Sequence, residues 1–286
     1  MRKGVACILV SAFGFALMGA LVRLSDSFGE PLPTVQKALF RNLIAVVAAG
    51  IAFAGSGGRS NPELRLPLGR KEKCDLLLRC VFGTCGVFAN FYAVSHIPLG
   101  DAMALNKTAP VFALLASWVL LREKVSVKQA VCFAGAFAGA VLVVKPGAMV
   151  FSSASLVGLA GGFCAGTAYA YLHKLGRSGV SGSYIVLVFS AFSSLACVPF
   201  VLLSPCAMTA AQTVILCGAG LAAALGQFGV TWAYRFAEPR QVAAYDYSGV
   251  LFSALFGIVM FSQVPDWISC AGFVLVAVSG IVLRRR

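Results

Sequence analysis

A chain of 286 residues is long enough for two soluble domains, but 59% of its residues are hydrophobic and only 12% are charged. No soluble core of that size hides so much apolar surface, so most of it must face lipid and the chain reads as an all-α polytopic membrane protein. The net charge of +13 does not point to nucleic acid, because the lysines and arginines are scattered among helix ends rather than gathered on one face.

Arg2-Lys3 followed by an apolar run has the outline of a signal peptide, yet with so many later apolar runs it reads as an uncleaved first helix. Windows of about 20 apolar residues, the length that crosses a hydrocarbon core, recur ten times. They fall at about 4–23, 33–54, 74–95, 100–121, 127–145, 154–173, 182–203, 210–234, 241–262 and 266–283. Turn signals separate them: Glu30-Pro31-Leu32-Pro33, Lys145-Pro146-Gly147 and Ser204-Pro205, with a long polar break from Gly55 to Lys73. Ten cysteines are present, nearly all inside apolar runs. With no C-x-x-C pair and no nearby histidine they read as small packing residues, and neither a metal nor a cofactor is expected.

Charge orients the spans. With both termini cytoplasmic, the inside segments hold 17 lysines and arginines and the outside loops hold 2, Arg23 and Lys145. That is the bias of the positive-inside rule, and it favours ten spans over nine or eleven.

The chain also repeats itself. Aligning Tyr92-Ala93 with Trp232-Ala233 brings Asn106 onto Asp246, Lys107 onto Tyr247, Glu123 onto Gln263 and Val125 onto Pro265 without a gap. Five spans per repeat is an odd number, so the second repeat enters the membrane from the opposite side. The expected organisation is two inverted five-helix repeats, residues 1–146 and 147–286, an architecture that many secondary transporters share.

The ten-span layout resembles the drug/metabolite transporter superfamily, EamA type. So does the fourth span, in which Pro110 opens a P-x-x-x-L pattern that closes on Arg122-Glu123-Lys124. The ninth resembles it through Asp246-Tyr247-Ser248 and Gly257, closing on Val264-Pro265-Asp266, and departs from it at Gln263, where an acid is common. The resemblance implies export or exchange of a small metabolite through a cavity between the two repeats.

Four basic residues fall inside the spans: Lys37, Arg41, Arg79 and Lys107. A charge at membrane depth costs roughly 2.5–3.5 kcal/mol on insertion scales and therefore faces a cavity or a partner. Arg41 and Lys107 are expected on the order of 10 Å below the outer boundary, with Lys37 one turn above Arg41 on the same face. Snorkelling to the interface is the competing reading for Lys107 and the favoured one for Lys37. Arg79, near the cytoplasmic end of the third span, reads as an interfacial anchor.

Asp246 is the one acid more than a turn inside any span. It can bind a cationic group, carry a coupling proton, or pair with a base; a bridge to Lys107 is not expected, since the two should lie at opposite ends of one cavity. Asn90, Asn106 and Gln227 are amides that need a partner at lipid depth. Trp232, Tyr245 and Tyr247, with Phe15, Tyr92 and Tyr169, are cavity candidates whose alternative is packing or the interfacial belt. Gly158, Gly162 and Gly166, and Gly135 with Gly139, mark close helix crossings. No nucleophile elbow, phosphate loop or carboxylate pair appears, and no enzyme is expected.

The sequence therefore predicts a secondary transporter in a bacterial inner membrane. Its partners are the lipid bilayer, a small polar substrate bearing a negative group, and a coupling proton or counter-substrate; a homodimer is compatible with this reading. A channel, or a scaffold or sensor, are the competing classes.

Overall fold

The computed structural model describes residues 2–55, 68–96, 105–122, 125–144, 153–262 and 265–284. Outside them lie most of the 55–73 break, residues 97–104, Glu123-Lys124, Lys145-Pro146-Gly147, Gln263-Val264 and the last two arginines. Among the described residues the chain is helical throughout, with eleven helices: α1 Arg2–Ser25, α2 Thr34–Gly55, α3 Arg70–His96, α4 Ala109–Leu121, α5 Val127–Val144, α6 Ser153–Arg177, α7 Gly182–Leu203, α8 Ala210–Phe236, α9 Pro239–Asp246, α10 Ser248–Phe261 and α11 Trp267–Arg284. Six apolar segments are long enough to span a bilayer, α9 and α10 together forming one of them, and α4, α5 and α11 are shorter apolar helices. Helix α3 is 27 residues long and opens on the charged run Arg70-Lys71-Glu72-Lys73.

Helix bounds recur along the chain. A shift of 140 residues, the separation of Lys107 and Tyr247, carries α3 onto α8, α4 onto the last 13 residues of α10, and α5 onto α11. Even the left-handed residues that end α4 and α10, Arg122 (φ 56°) and Ser262 (φ 52°), are equivalent.

The main packing joins elements distant in sequence: α1 with α8, α3 with α6, α5 with α11, and α2 with α7. Small residues let these helices meet. A Cβ on Gly14 of α1 would lie 2.6 Å from the Gly226 nitrogen and 2.8 Å from the Ala222 carbonyl oxygen. Ser11 donates to the Gly226 carbonyl at 2.8 Å in the same crossing. Gly86 and Gly161 play the equivalent part between α3 and α6.

The expected glycine steps act where the sequence places them. Gly162 sits against Thr108 and Leu105, Gly166 against Ala109 and Ala113, and Gly139 against Gly272 and Val276. Without a hydrophobic force between helices in lipid, such backbone approach supplies the dispersion and carbonyl contacts that hold them.

Two polar clamps tie loops together. Gln36 donates to the Cys206 carbonyl at 2.8 Å and accepts from its amide at 3.2 Å, while Gln212 donates to the Glu30 carbonyl at 2.9 Å. Thr209 caps α8 in a reciprocal box with Gln212 and also donates to the Phe28 carbonyl. At the other end of the bundle Lys174 pairs with Asp75 at 2.8 Å, and Gly176 packs on Arg235.

Candidate substrate site

The interior is organised on Tyr169 of α6. Its ring stacks on that of Tyr234 from α8, with centroids 5.0 Å apart and planes 15° apart. Three charged groups lie within electrostatic reach of it: Arg41 from α2, Arg79 from α3 and Asp246 from the end of α9. Asp246 also acts on Tyr234 and Tyr247. Two cations and one acid from three helices thus converge on one stacked aromatic pair.

Each charge has a local reason for its place. Arg41 lies over the Phe15 ring at 5.9 Å, while its neighbour Asn42 donates to Ser193 at 2.9 Å and fixes α2 against α7. Arg79 is 2% exposed and spreads over the Phe189 ring, its guanidinium carbon 4.1 Å from the centroid. The room for it comes from Gly83, where a Cβ would collide with the guanidinium and with Phe189.

Arg79 is therefore no interfacial anchor. It lies only nine residues into a helix that opens on four charged residues, which hid it among them. Its face was the missed signal: Leu76 precedes and Cys80, Gly83 and Gly86 follow Arg79 at helical spacing, and that stripe is the one that packs inward.

Lys37 is not part of an interior cluster. It pairs with Asp26 in the α1–α2 loop at 2.6 Å, so its charge is neutralised at the bundle end rather than added to the interior.

Lys107 and Tyr247 meet. The backbone turns at Lys107-Thr108 before α4 and again at Tyr247 between α9 and α10. There the buried Tyr247 hydroxyl donates to the Lys107 carbonyl at 3.0 Å. The Lys107 ammonium lies over Gly249, where an added Cβ would be 3.2 Å from Nζ. The two segments expected to guard opposite ends of a cavity are instead joined. The depth estimate assumed one continuous helix through this stretch, whereas the described backbone leaves the helix at Lys107-Thr108 and resumes it at Ala109. Lys107 and Asp246 form no ion pair among the described residues.

The remaining candidates divide. Asn106 is exposed and donates to Asn90 at 3.0 Å, so the two amides satisfy each other. Gln227 is buried with its Nε2 unpartnered, and the Tyr234 hydroxyl is buried and unpartnered as well. Tyr245 lies against Gly280 of α11. Trp232 stands on the outside of the bundle, 39% exposed, against Phe228 and the start of α7, and Tyr92, its equivalent 140 residues earlier, is also exposed.

Apolar helices interrupted at two joined points, around charged groups that form no ion pair among the described residues, are the build of an integral multi-pass membrane transporter. The chain belongs to the EamA-like transporter family, matched over residues 2–145, a family of transporters and not of enzymes.

It is 29% identical to the pseudopaline exporter CntI of Pseudomonas aeruginosa, over 100% of this chain and 97% of that one. It is 26% identical to a riboflavin transporter of Vibrio cholerae (96% and 91%) and 24% identical to the human solute carrier family 35 member G1 (97% and 78%). A solved structure shares the fold with a TM-score of 0.79 at 15% identity, covering 98% of this chain and 96% of that one. The chain is thus a drug/metabolite-type transporter with a small-molecule substrate.

Proposed function

We propose that this protein is a secondary transporter of a bacterial inner membrane that moves a small polar metabolite bearing at least one negative group by alternating access. Ten spans, α9 and α10 counting as one, make two inverted five-helix repeats, residues 1–146 and 147–286, with both termini cytoplasmic. Recurrence of helix bounds at a fixed shift supports the repeats. The loops tied by Gln36 and Gln212 fall on the outer side in this topology, and the Lys174–Asp75 pair on the inner side.

The observation that carries the reading is the convergence of Arg41, Arg79 and Asp246 on Tyr169, without an ion pair for any of the three among the described residues. Charges held in a low-dielectric interior without partners are characteristic of transport sites. Export, the direction in which the Pseudomonas relative is named, is the direction assigned here. Asp246 carries the coupling proton, or holds the cationic group of a zwitterion or counter-substrate. Any homodimer would form outside this interior site and leave its residues unchanged.

Counterflow in proteoliposomes, run across acidic, zwitterionic and cationic metabolites, tests the proposal. Saturable exchange of acids or zwitterions is expected. Preference for quaternary ammonium ions overturns it, and a current that never saturates makes the protein a channel.

A further inference from the structure

Four charged side chains stand in the interior with no ion pair among the described residues: Arg41, Arg79, Lys107 and Asp246. Their sum is two positive charges. Arg79 is the extreme case, since its Nε is buried with no hydrogen-bond partner. The face of Phe189 returns less than the burial of a lone guanidinium costs.

Arg41 lies within electrostatic reach of Arg79, so the two cations also repel each other where water does not screen them. On α7, which packs against both α2 and α3, Ser190 and Ser194 lie one turn apart, both buried and each with its Oγ unpartnered. Ser190 adjoins the Phe189 under Arg79, and Ser194 is three residues before Cys197, which Arg41 reaches electrostatically. Unpartnered donors and unneutralised cations on three packed helices have the makeup of an anion site.

We propose that Arg41 and Arg79 form a binding site for an organic dianion, whose two negative charges they share while Ser190 and Ser194 donate hydrogen bonds from α7. This rests on the transporter reading above and narrows it, because a single negative charge leaves one guanidinium unneutralised. Carboxylates and a phosphate monoester present the same doubly charged oxyanion chemistry.

The test uses the full chain in nanodiscs, with thermal unfolding followed at matched ionic strength against succinate, a longer dicarboxylate, a phosphate monoester, propionate and choline. A dicarboxylate or the phosphate monoester raises the melting temperature, whichever does so identifying the group. Propionate does so more weakly and choline not at all. Arg41→Gln and Arg79→Gln each weaken the dianion by roughly ten- to a hundred-fold. Without ligand, Arg79→Gln melts no lower than the parent, since an uncompensated cation has been removed.

A lower melting temperature in Arg79→Gln with dianion affinity intact makes Arg79 a structural anchor and overturns the site. If that variant does not fold, Arg41→Gln decides, and unchanged dianion affinity there overturns it too. Exchange of a monoanion or zwitterion with no dianion binding keeps the transporter and sinks the dianion site. Arginine-dependent dianion binding with no flux in liposomes does the reverse.

Discussion

The two helix interruptions, at Lys107-Thr108 and at Tyr247, occupy equivalent positions and carry different chemistry. Both precede an apolar helix of the same register, and both helices end on a left-handed residue. One offers a bare carbonyl and an ammonium; the other supplies a hydroxyl that binds that carbonyl and a neighbouring carboxylate. The same contrast holds between α3 and α8. Gly86 and Gly226, equivalent in register, both serve helix crossings, whereas Arg79 stands where α8 has the buried Ala219. Equivalent positions agree where backbones touch and differ where charge is placed. Between α3–α5 and α8–α11, packing is shared and chemistry is not.

The shared packing should be the most sensitive to damage. Gly14→Val puts branched carbons where even a Cβ overlaps the α8 backbone. A destabilisation of about 3 kcal/mol or more is expected, read as lost monodisperse protein and a lower melting temperature. Gly19 is the control on the same helix: nothing lies within 4 Å of its added Cβ. Gly19→Ala should be neutral or stabilising by about 0.5 kcal/mol. Equal damage from both would mean that the crossing is not what the small residues serve.

The unshared chemistry is tested by making the halves alike. Asp246→Asn gives the second interruption the amide that Asn106 gives the first. Folding should survive, because Asp246 is half-buried and has no ion pair among the described residues to lose. Substrate exchange without a gradient should persist while accumulation driven by a pH gradient disappears. Gradient-driven accumulation at the parent's rate would remove Asp246 from proton coupling.

Much of this was legible in the sequence, for reasons that also explain what was not. The all-helical, apolar build and the glycine crossings follow from composition and spacing, because lipid leaves few ways to bury an apolar helix. The Lys107–Tyr247 bond could not be read, since it depends on both helices breaking at the same level, and a hydropathy window runs through such a break. The Lys37–Asp26 pair could not be read, because the two residues lie across a loop, a pairing that helical spacing does not predict. Arg79 was masked by the four charges that open its helix.

Tyr247→Phe removes the bond between the interruptions and keeps the edge-on contacts to Phe133 and Phe137. A loss of about 1 kcal/mol is expected, measured by thermal or chemical unfolding. Transport should change in rate more than in substrate preference, since the hydroxyl is committed to backbone. A changed preference with unchanged stability would move Tyr247 into the substrate site.

The smallest effects belong to the ion pairs at the two ends of the bundle, and they should be unequal. Exposed pairs are worth roughly 0–1 kcal/mol, and Asp75, as the more buried of the two acids, would suggest that Asp75→Asn costs more. The lysines decide the opposite. Lys174 is 37% exposed and lies near the Tyr171 ring, so without Asp75 it keeps water and an aromatic face. Lys37 is 10% exposed, and without Asp26 it is a cation with little access to water. Removing one member of a pair costs most when the survivor cannot resolvate. Asp26→Asn should therefore lower the melting temperature more than Asp75→Asn, and added salt should change the Asp26→Asn penalty the less because that site is less screened. The reverse order would mean that the clamp of Gln36 and Gln212 alone holds that end closed and leaves Lys37 free to reach solvent.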